Sequence, residues 1–132
     1  MNQIDTNVIV RFLTADEGPK YKGVYHLFKK LESNQERVEI KPLVFFQTFF
    51  VLKSFNKVDK GKIAYLMSSI LGLPGVFMEK KAVYRRTLEI YEKENLEVVD
   101  CYLLACVEND SNVILYSYDK NFDRYGIRRI EP

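Results

Sequence analysis

The chain has 132 residues, 47% of them hydrophobic, enough to bury one core in a single domain spanning 1–132 without disulfide staples. Twenty basic and 18 acidic residues leave a formal charge of +2, which neither demands nor excludes a nucleic-acid partner. The polar opening does not read as a secretory leader and no apolar run has the length of a membrane span, so a cytoplasmic protein is expected.

Met1–Ile4 reads as a short strand, followed by Asp5-Thr6-Asn7 and a buried helix from Val8 to Leu13 with Thr6 or Asn7 as its cap. Gly18-Pro19 breaks the chain. Tyr21 to Ser33 is amphipathic, with Val24, Leu27, Phe28 and Leu31 on one face. Val38-Glu39-Ile40 is strand-like, and Pro42 opens a helix from Leu43 to Phe55 that is apolar nearly all round. Its phenylalanines either fill the core or meet a second subunit.

A further helix is expected from Asp59 to Leu71, ended by Gly72-Leu73-Pro74-Gly75, then a brief extended piece at Val76–Met78. Glu79–Glu94 reads as helix, and Val98-Val99-Asp100 opens another. Asn109-Asp110-Ser111-Asn112 is a turn. Val113–Tyr116 and Ile127–Ile130 complete the strands. Strands alternating with helices indicate an α/β fold with a parallel sheet, whose ligands bind beyond the carboxyl ends of the strands. Asp5 and Asp119 lie just after strands and Asp100 at a helix start, where the helix dipole alone would also favour a carboxylate.

Other residue types carry less chemistry. Cys101 and Cys106, without a CxxC or Cys/His context, read as reduced core residues. The lone His26 reads as a surface or packing residue. Basic residues cluster at Lys53, Lys57, Lys60 and Lys62, at Lys80, Lys81, Arg85 and Arg86, and at Arg124, Arg128 and Arg129. They are either solvated helix faces or a basic rim that steers a polyanion.

Three segments in order carry a resemblance. Ile4-Asp5-Thr6-Asn7-Val8-Ile9-Val10-Arg11-Phe12-Leu13-Thr14, Val98-Val99-Asp100-Cys101-Tyr102-Leu103-Leu104-Ala105 and Ser117-Tyr118-Asp119-Lys120-Asn121-Phe122 resemble the PIN-domain family (PilT N-terminus-like) over essentially the whole chain. The likeness is strongest to the single-domain VapC-like toxins of VapBC-type toxin–antitoxin pairs. It implies a three-layer α/β/α sandwich with a mostly parallel central sheet, and a metal-dependent endoribonuclease using Mg²⁺ or Mn²⁺. It also implies an RNA substrate, a small antitoxin partner and a homodimer. Asp5, Asp100 and Asp119 fall on the family's catalytic and metal-binding acids, with Asn7, Ser117 and Asn121 in support.

Gln47 departs from the pattern, standing where the family has its second acid, a Glu. An amide keeps a carbonyl ligand but loses a charge and cannot act as a base, a change of roughly 10²–10⁴-fold in rate if that acid handles the water. Glu97, one turn before Asp100, is a possible substitute. The alternative reading is a non-catalytic PIN-like module that binds RNA or protein. An aspartyl-phosphate site is more remote, since the whole-chain resemblance argues against it.

Overall fold

The computed structural model describes residues 1–16, 18–108 and 110–132. These form two compact units, Met1–Lys81 and Ala82–Pro132. Asn109, the first residue of the expected Asn109–Asn112 turn, lies outside the described residues.

In the first unit three strands, β1 (Asn2–Gln3), β2 (Val38–Glu39) and β3 (Val76–Phe77), pair in parallel in the order β1-β2-β3. The ladder continues past the strand ends, with Ile4 N–H donating to Glu39 O at 3.3 Å and Ile40 N–H to Phe77 O at 2.9 Å. Ile4, Val38, Ile40, Val76 and Met78 are all buried, as parallel strands covered by helices require. Gly75 enters β3 so close to the Glu36 carbonyl and the Leu31 backbone that a Cβ there would collide with both. Its N–H donates to Leu31 O at 2.8 Å and its carbonyl accepts from Val38 N–H at 2.9 Å, locking β3 to β2.

Four helices belong to this unit: α1 (Thr6–Leu13), α2 (Tyr21–Glu32), α3 (Pro42–Ser54) and α4 (Lys60–Leu71). α1 packs on α2 and α3, and α3 on α4. Phe12 of α1 lies flat on Phe28 of α2, ring centroids 3.9 Å apart. Pro42 sits at the first position of α3, where its missing N–H costs no intrahelical bond. Although α3 is apolar all round, it buries one stripe: Phe45, Thr48, Phe49 and Leu52, at i, i+3, i+4 and i+7. Thr48 is accommodated because its hydroxyl donates to Val44 O at 2.7 Å. Leu43 (83% exposed), Phe50 and Phe55 face outward, so the phenylalanines divide between core and surface.

The second unit contains α5 (Lys81–Lys93, entered from the last residue of the first unit), α6 (Val98–Val107) and the parallel pair β4 (Ile114–Tyr116) and β5 (Arg128–Ile130). Tyr84 of α5 stacks on Tyr102 of α6 at 5.4 Å. A 3₁₀ helix at Lys120–Tyr125, not anticipated from the sequence, joins β4 to β5. It is anchored by buried Phe122 and ended by Gly126, whose φ of 71° no β-carbon-bearing residue adopts cheaply. Cys101 is buried, but Cys106 is exposed, which corrects its reading as a core residue. Five residues along a helix rotate the side chain by about 140°.

Candidate functional site

The expected site residues fall in both units, and each half has its own geometry. In the first unit Asp5 follows β1 at its carboxyl end and is the N-cap residue of α1, with φ −92° and ψ 155°. The expected cap was Thr6 or Asn7; Thr6 is instead the first helical residue. The Asp5 carbonyl accepts from Val8 N–H at 3.1 Å and Ile9 N–H at 3.3 Å, but its side chain makes no capping hydrogen bond. The helix start is therefore secured by backbone, and the exposed Asp5 carboxylate is not engaged in capping it.

Thr6 is buried and its hydroxyl donates to Gln47 Oε1 at 2.7 Å. α1 and α3 start from the carboxyl ends of neighbouring strands, which brings the first turn of one beside the second turn of the other. Asp5 and Gln47 are thus linked through Thr6. Gln47 itself is exposed, beside Leu43, Phe46 and Phe50 in a shallow recess. Asn7 is exposed on α1.

In the second unit Asp100 stands half-buried in the first turn of α6, and Glu97 is that helix's N-cap residue. Burial raises the Asp100 carboxyl above the ordinary aspartate range, and the negative charges of Asp119 and Glu97 raise it further. Asp119 and Glu97 are therefore close enough for their repulsion to be felt at Asp100. Asp119 caps the 3₁₀ helix, its Oδ1 accepting from Asn121 N–H at 2.9 Å. Its own N–H donates to Ser117 Oγ at 3.0 Å. For Asp119 the capping role is real, and it also fixes the carboxylate's direction. Ser117 supports the acid through the backbone, and Asn121 contributes its amide N–H.

Arg129 of β5 holds this loop from below. Its Nε and Nη2 donate to the two carboxylate oxygens of Asp123 at 2.7 and 3.0 Å, and its Nη1 donates to Ser117 O at 2.8 Å and Glu131 Oε1 at 3.0 Å. The bidentate pairing pulls the Asp123 carboxyl below its usual range, and the two carboxylates raise the Arg129 guanidinium. The sequence left Arg129 and Arg86 either on solvated faces or in a basic rim; the Arg129 guanidinium is largely buried against Asp123 and Glu131, and the half-exposed Arg86 pairs with Glu89 and Glu108. The Thr6–Gln47 bond and the Arg129 clamp were not legible beforehand. The only signal for either was Thr6's place in the first motif.

A PIN-domain family model matches residues 3–128. The chain belongs to the PIN-domain family. A VapC ribonuclease of Aquifex aeolicus (strain VF5) is 21% identical over 132 residues, spanning the whole of this chain and 97% of that protein. The resemblance read from the three motifs is therefore correct, as is the α/β class with its parallel strands.

Among the described residues of this PIN protein, no three His, Cys, Asp or Glu side chains gather closely enough to hold a metal ion as they stand. Asp100, Asp119 and Glu97 are near enough to repel, but not to ligate one ion jointly. The donor chemistry nevertheless suits a hard divalent cation. The donors are oxygen atoms, and the repulsion at Asp100 is of the kind a cation relieves.

Proposed function

We propose that this PIN protein is a metal-dependent endoribonuclease, the toxin half of a toxin–antitoxin pair, acting as one domain over residues 1–132. The carrying observation is the match of the PIN-domain family model over residues 3–128, with Asp100, whose carboxyl is raised by burial and then by the charges of Asp119 and Glu97, on one of its motifs. Like charges held near one another favour a bound cation. Similarity to a protein named a VapC ribonuclease supports RNA as the substrate and a small antitoxin as partner.

Asp5, Asp100 and Asp119 would hold Mg²⁺ or Mn²⁺. The bound ion supplies polarisation of the phosphodiester and a more acidic attacking water. The chain's own residues do the rest. Asn121 N–H and the Ser117 turn hold Asp119 in one orientation. Thr6 fixes the Gln47 carbonyl, leaving the amide N–H groups to donate to a phosphate oxygen. Gln47 cannot take a proton, so the rate should sit roughly 10²–10⁴-fold below that of a site with Glu there.

That substitution favours a second reading, a non-catalytic module that binds RNA or protein. RNA cleavage and calorimetric Mn²⁺ titration of wild type, Asp5→Asn and Asp100→Asn separate the two. Cleavage lost in both variants supports the nuclease. No cleavage, with no metal bound by wild type or by Gln47→Glu, ends the acid-site argument. The outward Leu43, Phe50 and Phe55 of α3 and its extension support a homodimer. Sedimentation showing only monomer at micromolar concentration would sink that part.

A further inference from the structure

α2 carries an outward face on which none of Asp5, Asp100 and Asp119 lies. Between Gly18 and Leu31 the sequence holds four lysines, Lys20, Lys22, Lys29 and Lys30, and no acid. All four are exposed. The helix buries Phe28 and Leu31 and turns two parallel rows outward. One row runs Tyr21, Tyr25, Lys29 and the other Lys22, His26, Lys30, each at i, i+4, i+8, with Tyr21 half-buried and the other five exposed. The rings form a connected set: Tyr21 and Tyr25 lie 6.3 Å apart, and Tyr25 meets the His26 ring edge-on at 5.9 Å. Lys29 Nζ stands 5.5 Å from the Tyr25 ring centre and 3.6 Å from Glu32. At the N-terminal end Gly18 and Pro19 join Tyr21, Lys22 and Tyr25 around an open recess of about 410 Å³. No acid occupies the first turn of the helix.

We propose that this face of α2 is a docking surface for single-stranded RNA. Exposed rings alternating with ammonium groups supply what a single strand needs, flat faces for unstacked bases and point charges for phosphates. A duplex hides its base faces and would gain only the charge. The preference for RNA over an acidic protein rests on the ribonuclease reading above. The aromatic row, Tyr25 exposed and Tyr21 half-buried, supports it, since an acidic peptide needs the lysines but not the rings.

The test measures binding, not cleavage. A fluorescein-labelled 12-nucleotide oligouridylate is titrated by fluorescence anisotropy in EDTA. Wild type should bind, and Tyr21→Ala/Tyr25→Ala should bind at least tenfold more weakly. Lys22→Gln/Lys30→Gln should lower the slope of log affinity against log salt by about 1.4. Circular dichroism and thermal melting verify that these surface variants fold. Unchanged affinity in the tyrosine variant overturns the proposal, as does duplex RNA competing as well as single strands. Polyglutamate competing as well as RNA overturns it in favour of an acidic protein partner. A wild type that binds RNA this way but does not cleave it with Mn²⁺ refutes only the nuclease reading. One that cleaves while ignoring the tyrosine changes refutes only the platform.

Discussion

Gln47→Glu adds one negative charge without asking the backbone to move. Thr6 Oγ1 already donates to Gln47 Oε1 at 2.7 Å, and a carboxylate accepts the same bond more strongly. Residue 47 is exposed, so the water limit governs the size of the effect. Unit charges at contact separation are worth about 1 kcal/mol there, hence about 2 kcal/mol for a divalent ion. Allowing for salt, Mn²⁺ should bind about tenfold to thirtyfold more tightly. Cleavage should rise by about 10²-fold or more if the acid also handles the water. Calorimetry at fixed ionic strength reads the first and a fluorogenic RNA the second. Thr6→Val with Gln47→Glu is the control, since removing the donor should cut the gain. Mn²⁺ affinity unchanged by Gln47→Glu would refute the idea that position 47 faces the ion.

Other outcomes follow from single contacts. Asp100 has a raised carboxyl, so the folded state holds its proton more tightly than the unfolded chain; stability falls as pH rises from the ordinary aspartate range through the raised value. Asp100→Asn should therefore melt at a higher temperature than metal-free wild type at pH 7, with the gain vanishing in acid; no gain at neutral pH would remove the repulsion argument. Asp123 has the opposite sign: Arg129 lowers its carboxyl, so its stabilisation is present above the ordinary range and lost as pH falls through the lowered value. Arg129→Met should erase that acid-side loss in a pH series of melts. Gly75→Ala must push a methyl into the Leu31 and Glu36 backbone, costing about 1–3 kcal/mol, readable as a lower urea midpoint.

Much of the architecture was legible because it is periodic or punctuated. The Phe28/Leu31 face of α2, Pro42 at the head of α3 and Gly72–Gly75 at the foot of α4 act through local chemistry that a sequence displays. The 3₁₀ helix was not legible. Its start depends on the Asp119 side chain reaching Asn121 N–H and its end on Gly126, while its anchor is a single residue, Phe122. Cys106 was misplaced because an apolar run hides which side of a helix faces out. The resemblance, through its ordered motifs, singled out Asp5, Asp100 and Asp119 as the candidate acids. Their local partners were not legible, because Thr6–Gln47 spans 41 positions and Arg129–Ser117 spans 12.

Arg129 couples two events that would otherwise be independent. Ser117 O, Asp123 and Glu131 all rest on one guanidinium, so fraying of β5 releases the Ser117–Asp123 loop at the same moment. The placement of Asp119 then has the free energy of a local opening, not of global unfolding. Amide hydrogens of Asn121 and Phe122 should exchange in step with those of β5, and the chain can lose its third acid while its core remains intact.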